Sequence, residues 1–326
     1  MFHSGCSHRT ATHTVRHSMA KGNQTNVREF ILLGFPGSRY LQIALFLIFL
    51  FMYLLMLMGN ITIISLVGTH RHLHTPMYFF LCNLSFLDIW FTTGYIPKTL
   101  ALLVSQSKTI SFPSCLLQMY FVFSLGGTEY LLLTVMAYDR YLAICHPLRY
   151  SCIMNSTLSI QLVLGSWASS FLITSVLTFL ITRLSFCDST VINHFFCDVD
   201  SWIELSCTDT RLIEKMYITI CFIVILGSCA IILVSYIYII STVRRMPSAQ
   251  GWQKAFSTCS AHLTVVVLWY GCSILLYVKP SKQSSLEINK VVTLLNAFMT
   301  PLLNPFIYTL RNKDIKEILR KAFSRT

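Results

Sequence analysis

The sequence predicts an all-α membrane protein: a seven-transmembrane helix bundle with a short amphipathic C-terminal helix. Three observations carry that prediction. Of the 326 residues, 54% are apolar and only 12% charged, whereas a soluble chain spends about a quarter on charge, so most of the surface faces lipid. Seven apolar runs are each long enough to cross a bilayer, which takes about 20 residues. In lipid the backbone groups of such a run are satisfied only within the segment, so each run is a helix. The remainder makes loops and two tails, which leaves no room for a sizeable soluble domain. Glycine and proline are too few for a disordered or collagen-like chain.

Residues 1–40 form an N-terminal tail. Within it, residues 1–18 lack the apolar stretch of a cleavable signal peptide. They contain His3, His8, His13 and His17 at no metal-binding spacing, so they read as a disordered extension, with Met19 as an alternative start. The helical domain spans 41–310. Its apolar runs are 41–68, 76–97, 115–138, 158–181, 216–241, 255–278 and 288–310, and no repeat, low-complexity tract or charged linker divides them. Residues 311–326 hold the one concentration of positive charge, Arg311, Lys313, Lys316, Arg320, Lys321 and Arg325, which reads as an amphipathic helix lying against anionic lipid. In a soluble domain the net charge of +12 would suggest nucleic acid. Here the other basic residues scatter through loops, so no nucleic-acid partner is expected.

An odd number of spans puts the termini on opposite sides, and Lys and Arg divide too evenly to say which is which. Cysteines and a glycosylation triplet decide instead. Cys115, Cys187, Cys197 and Cys207 share one face. Disulfides persist in oxidising compartments, and four cysteines allow three pairings. The same face carries Asn23-Gln24-Thr25, an acceptor triplet if the tail is extracellular. The triplets at Asn60, Asn83 and Asn155 would lie in membrane or cytoplasm. The N-terminus is therefore expected outside and the basic C-terminal helix inside.

Charges within the bilayer are costly and mark function by default. The second and third runs each carry one, Asp88 and Glu129. Glu129 precedes Arg140 by 11 residues, about three turns, so the two share a helix face. Two carboxylates buried together repel, and at least one is protonated unless a cation lies between them. Neither a Gly-rich phosphate loop, nor an HExxH, nor a nucleophile elbow occurs, so no enzyme is expected.

The third run ends in Met136-Ala137-Tyr138-Asp139-Arg140-Tyr141, and the last contains Pro301-Leu302-Leu303-Asn304-Pro305-Phe306-Ile307-Tyr308. Together they resemble the Asp-Arg-Tyr and Asn-Pro-x-x-Tyr signatures of rhodopsin-like G-protein-coupled receptors. Further blocks narrow the resemblance: Leu73-His74-Thr75-Pro76-Met77-Tyr78 opening the second helix, Ser235-Tyr236 closing the fifth, Lys254-Ala255-Phe256-Ser257-Thr258-Cys259 opening the sixth, and His194-Phe195-Phe196-Cys197-Asp198 in a three-cysteine loop. This ordered set, across roughly residues 26–320, resembles the vertebrate odorant receptors of the land-animal class.

The resemblance implies a set of roles. A sodium ion is the cation expected between Asp88 and Glu129, helped by Asn60 and Asn304, with a protonated, hydrogen-bonded carboxyl as the alternative; no other cofactor is expected. Asp139 would hold Arg140 at rest and release it towards Tyr236, Tyr308 and the G protein, with Tyr141 completing the motif and Pro305 supplying a hinge in the seventh helix. The implied disulfide is Cys115–Cys197, leaving Cys187–Cys207 as a second ring; Cys6 is left over, and the other seven cysteines read as packing residues. The ligand pocket is expected between helices three, five, six and seven, near Val122, Phe123, Gly126, Gly127, Ile220, Cys221, Val224, Tyr270, Ser273, Ile274 and Tyr277. The two glycines would either open a cavity or allow close helix packing. Helix three offers that region no carboxylate for an amine, and helix seven has no central lysine for a retinal Schiff base. A small, mostly apolar volatile ligand fits such a pocket, and the resemblance implies a stimulatory olfactory G protein that raises cAMP. The expected location is the plasma membrane, in olfactory neuron cilia. The rival readings are a rhodopsin-like receptor for another small ligand and a membrane transporter, although no inverted repeat or pair of broken helices supports the latter.

Overall fold

The computed structural model describes residues 27–105, 107–186, 190–245, 249–277, 285–311, 315–318 and 320. Side chains of residues 249–258, 275–277, 285–289, 299–300 and 308–311 also lie outside the description. The first span is α1 (Arg39–Thr69), and the second is divided into α2 (Pro76–Thr93) and α3 (Ile96–Val104). The third is α4 (Phe112–Cys145), followed by a short α5 (Pro147–Ile153). The fourth is α6 (Ser156–Ile181), and α7 (Val199–Glu204) is one turn in the loop beyond it. The fifth, sixth and seventh are α8 (Arg211–Arg244), α9 (Ala249–Tyr277) and α10 (Ser285–Arg311). Six of these spans are long and apolar enough to cross a membrane, and α9 contains a shorter apolar stretch, Cys259–Ile274.

Several helices outrun their apolar stretches. The third run ends at 138 and the fifth at 241, yet α4 and α8 each continue to 34 residues. That is about 51 Å at 1.5 Å per residue, against a hydrocarbon core of about 30 Å. Helix persists into the polar margins because caps and neighbours satisfy its ends. Ser38, Ser111 and Asn155 each accept a backbone N–H in the first turn of α1, α4 and α6.

The second span breaks within what reads as one continuous apolar run, 76–97. The Gly94 N–H reaches the carbonyls of Trp90 and Phe91, closing α2. Pro97, in the first turn of α3, has no N–H to continue the ladder. Helix α10 instead carries two prolines inside it. Each removes one i→i−4 bond, so Pro301 frees the Ala297 carbonyl and Pro305 frees that of Pro301. Both carbonyls are taken up by side chains from other helices. Tyr95, at the α2–α3 break, donates to Ala297 O, and Asn60 Nδ2 donates to Pro301 O at 3.2 Å. A Cβ on Gly59 would come within 2.8 Å of Pro305, so the glycine lets α1 approach α10 there.

A small sheet that composition did not announce closes one end of the bundle. Strand β1 (Glu29–Leu32) pairs antiparallel with β2 (Thr109–Ser111) and parallel with β3 (Val191–Ile192). The segment expected to be tail is thus structured from residue 27 onward. Beneath the sheet Phe30, Phe112, Phe186 and Trp202 meet with ring centroids 5.1–6.0 Å apart, forming a second core separate from that of the bundle. Trp202, on α7, is among the largest fully buried side chains. At the opposite end residues 315–318 are helical, with Ile315 buried and Lys316 and Glu317 exposed.

Candidate functional site

An apolar cavity of about 170 Å3 opens in the bundle on the side of the sheet. Helix α4 contributes Val122, Phe123, Gly126, Gly127, Tyr130 and Leu131, and α8 contributes Tyr217, Ile220, Cys221, Val224 and Ile225. Helix α6 adds Ser170, Ile173, Thr174 and Leu177, while Trp269 and Ser273 come from α9, Asn296 from α10, Phe91 from α2 and Phe196 from the loop. No described residue in that wall is charged.

Eight of the anticipated residues therefore line one cavity, from Val122 to Ser273. Two do not. Tyr270 is buried, but its hydroxyl donates to Ser228 Oγ at 2.5 Å on α8, and its ring packs on Tyr130, beside the cavity rather than in its wall. Ile274 is 47% exposed; one residue beyond Ser273 turns it about 100° round the helix, away from the cavity. The Tyr277 side chain lies outside the described residues. The cavity also sits closer to the fourth span than expected. Ser170, Ile173, Thr174 and Leu177 fall at i, i+3, i+4 and i+7, a helical stripe readable from spacing in a run that carries no charge to draw attention. Gly127 turns out to serve both anticipated purposes: it lines the cavity, and a Cβ there would collide with Ser170 Oγ.

Nearer the middle of the bundle lies a polar core. Asp88, Glu129, Asn60 and Asn304 are each at most 1% exposed. Asn304 Nδ2 donates to Asp88 Oδ2 at 2.9 Å. Oδ1 of Asp88, both carboxyl oxygens of Glu129, and Oδ1 of Asn60 and of Asn304 have no hydrogen-bond partner. Buried oxygens left unpaired are costly, and an all-oxygen donor set suits a hard cation. The four residues singled out from the sequence thus fit a small cation.

At the end away from the sheet, Arg140 Nε donates to Asp139 Oδ2 at 2.9 Å and a second guanidinium nitrogen binds the same oxygen. The other Asp139 oxygen accepts the Tyr150 hydroxyl from α5 at 2.7 Å. Burial and then the Asp139 charge push the Tyr150 hydroxyl well above the ordinary tyrosine range, so it stays protonated and donates. Tyr141 meets His146 at 3.0 Å. The Tyr236 hydroxyl meets His262 Nδ1 at 2.8 Å, and His262 Nε2 meets the Leu133 carbonyl at 3.0 Å. Only a nitrogen carrying hydrogen can bond a carbonyl, so Nε2 donates and Nδ1 accepts from Tyr236. His262 thereby bridges α4, α8 and α9. Its signal in the sequence was plain, since it is the one ionisable side chain in the sixth apolar run apart from tyrosine and cysteine. The Tyr308 side chain lies outside the described residues, whereas Pro305 lies inside α10.

Cys115 is bonded to Cys197, tying the start of α4 to the loop. Gln118 fastens the same join: its Oε1 accepts the Cys197 N–H at 2.9 Å, and its Nε2 donates to Gly94 O. Cys207 is also in a disulfide, while Cys187, like Asn23 and Cys6, lies outside the described residues. Of the cysteines expected to pack, Cys152 is instead exposed, since α5 has no buried residue. In the loop His194 is buried against Phe195 and Phe196. Burial, and then the Lys290 charge, pull its pKa down to about 3.

A membrane bundle with a neutral cavity towards one end and a clasped arginine at the other is the build of a signalling receptor. The family model for olfactory receptors matches residues 49–326. The chain is 63% identical to olfactory receptor 287 of Rattus norvegicus, over 90% of this chain and 94% of that one. It is 59% identical to olfactory receptor 6F1 of Homo sapiens, over 94% and 99%, and 50% identical to human olfactory receptor 6X1, over 93% and 97%. The chain belongs to the olfactory receptor family. It is a G-protein-coupled, multi-pass plasma-membrane receptor for odorants, not an enzyme.

Proposed function

We propose that a small, neutral, mostly apolar volatile ligand enters the cavity between α4, α6 and α8. There it shifts a pre-existing equilibrium towards a state in which the Arg140 end opens. The observation that carries this reading is the uncharged cavity wall, which offers shape and a few hydroxyls but no counter-ion. Opening would separate Arg140 from Asp139 and Tyr236 from His262, exposing a surface for a stimulatory olfactory G protein and raising cAMP. The N-terminus faces outside, Asn23 is glycosylated, and Cys187 pairs with Cys207; four cysteines and an acceptor triplet on one side support that orientation. Cilia of olfactory neurons are the expected site of action.

Asp88, Glu129, Asn60 and Asn304 would hold a sodium ion, which supplies positive charge between two carboxyls that otherwise repel. The chain's part is to present unpaired oxygens from four helices, so the ion favours the packed arrangement of α1, α2, α4 and α10. Sodium should therefore raise the melting temperature of the purified protein relative to choline, and Glu129→Gln should remove both that gain and any sodium sensitivity of signalling. An undiminished gain in the variant excludes this site.

The reading as a whole is tested by a broad volatile panel on cells expressing the chain, with cAMP as readout. A dose-dependent response should disappear in Arg140→Ala while surface display persists. A response that survives in Arg140→Ala would refute the coupling role.

A further inference from the structure

Two described residues of the cavity wall each keep a buried polar atom without a hydrogen-bond partner. Trp269, 2% exposed, has no partner for its Nε1–H, and Asn296 on α10 has none for Oδ1. The other serine and threonine hydroxyls of the wall are committed within the protein. Tyr130 and Ser273 bond each other, Ser170 Oγ donates to Ser124 O at 2.7 Å, and Thr174 Oγ1 donates to Ser170 O at 2.9 Å. Unpaired polar atoms in the wall of a neutral cavity are ones that a ligand can complete.

An indole N–H only donates, and an amide oxygen only accepts. A ligand hydroxyl does both: it can accept from Trp269 and donate to Asn296. An ether, an aldehyde or a ketone can only accept, which leaves Asn296 unpaired. A protonated amine cannot accept from Trp269 and meets no carboxylate in the described wall. Sites built to hydrogen-bond a hydroxyl discriminate strongly against analogues without one, because their own groups are then stranded. Size narrows the class further. A protein cavity of about 150 Å3 takes benzene, so about 170 Å3 suits a body of about six to eight heavy atoms.

Resting on the odorant-receptor reading above, we propose that the cavity is tuned to small neutral alcohols, with Trp269 and Asn296 as the pair that recognises the hydroxyl. The probes are 1-hexanol and its isomer methyl pentyl ether, which match in size and composition and differ in donating a hydrogen bond. In cells expressing the full chain, 1-hexanol should act at a concentration at least tenfold lower than the ether. W269F keeps an aromatic ring against Phe91 and Tyr130 but deletes the N–H, and N296L deletes the acceptor. Each should bring the ratio of the two half-maximal concentrations towards one while surface display stays normal. A parallel measurement on purified protein reads binding without coupling: 1-hexanol should raise the melting temperature of the native chain more than the ether does, and equally little in both variants. Equal potency of alcohol and ether in the native chain, or a ratio unchanged in both variants, overturns the proposal. A melting shift without a cAMP response would leave the hydroxyl site standing and sink the coupling reading. A cAMP response to other volatiles with no shift from 1-hexanol would do the reverse.

Discussion

The sheet end and the Arg140 end of this bundle are fastened by different chemistry. At the sheet end a disulfide, a three-stranded sheet, a Gln118 clamp and four interlocking aromatic rings hold the loop to α4. Those contacts combine a covalent bond, a backbone hydrogen-bond ladder and buried apolar packing, which reinforce one another. The Arg140 end is fastened by a few polar contacts instead: Asp139 with Arg140 and Tyr150, and His262 with Tyr236 and Leu133. Each is worth about 1 kcal/mol net, and water or a G protein can replace it. One end is built to keep its shape, and the other is built with two arrangements close in free energy. Between them lies the core of unpaired carboxyl and amide oxygens, which is where a change at one end meets the other.

The contrast makes graded predictions. The largest effect belongs to the sheet end. Cys115→Ser opens a link between residues 82 apart, which costs about 4.5 kcal/mol of constraint on the unfolded chain. Surface display by flow cytometry should fall more than tenfold; normal display would mean the covalent fastening is dispensable. Next comes the bridging histidine. His262→Phe removes two hydrogen bonds, about 2 kcal/mol together, without removing the ring's bulk. Ligand-free cAMP should rise on the order of tenfold, and an unchanged basal level would remove His262 from the resting clasp.

Acid should act on the sheet end. His194 has a pKa drawn down to about 3 by burial and Lys290, with Asp200 opposing, against about 6.5 in the unfolded chain. The neutral form is thus favoured by folding, and the unfolded chain binds the extra proton between those values. Stability is full above pH 6.5 and falls as pH drops towards 3, by about 2 kcal/mol at pH 5. The melting temperature of purified receptor should decline between pH 7 and 5, and the decline should flatten in His194→Phe. The smallest effect is at the other end. Tyr150→Phe removes one bond to Asp139, about 1 kcal/mol, and should raise basal cAMP about fivefold while display is unchanged.

The bundle was legible in the sequence because apolar length is a strong signal, and helix is the form such a run takes in lipid. The polar core was legible because charge within lipid is rare: Asp88 and Glu129 stood out against long uncharged runs, while Asp139 and Arg140 stood out by their motif. What escaped were features carried by ordinary residues. Glu29–Leu32 is too short and too plain to announce a strand, and its partners are remote in sequence. The α2–α3 break needed Gly94 and Pro97 to be read together. The fourth span's share of the cavity rests on Ser170 and Thr174, whose hydroxyls also satisfy neighbouring carbonyls and so give no sign of lining a cavity. Ile274 is the converse case: it was named for the pocket beside Ser273, and one residue of helical rotation leaves it 47% exposed.

Strand β1 also sets an order of assembly. It is the central strand of its sheet, yet it is synthesised first, and its partners follow about 80 and 160 residues later, at Thr109–Ser111 and Val191–Ile192. Until residue 192 has been made, Phe30 and Leu32, both wholly buried in the finished protein, have only the β2 side of their packing, with Ile110 and Phe112. A newborn chain therefore carries an incompletely covered apolar strand through the making of its first four spans, a surface that chaperones bind. Closure of the sheet is then a chemical timestamp, marking a chain whose first half and central loop have found one another.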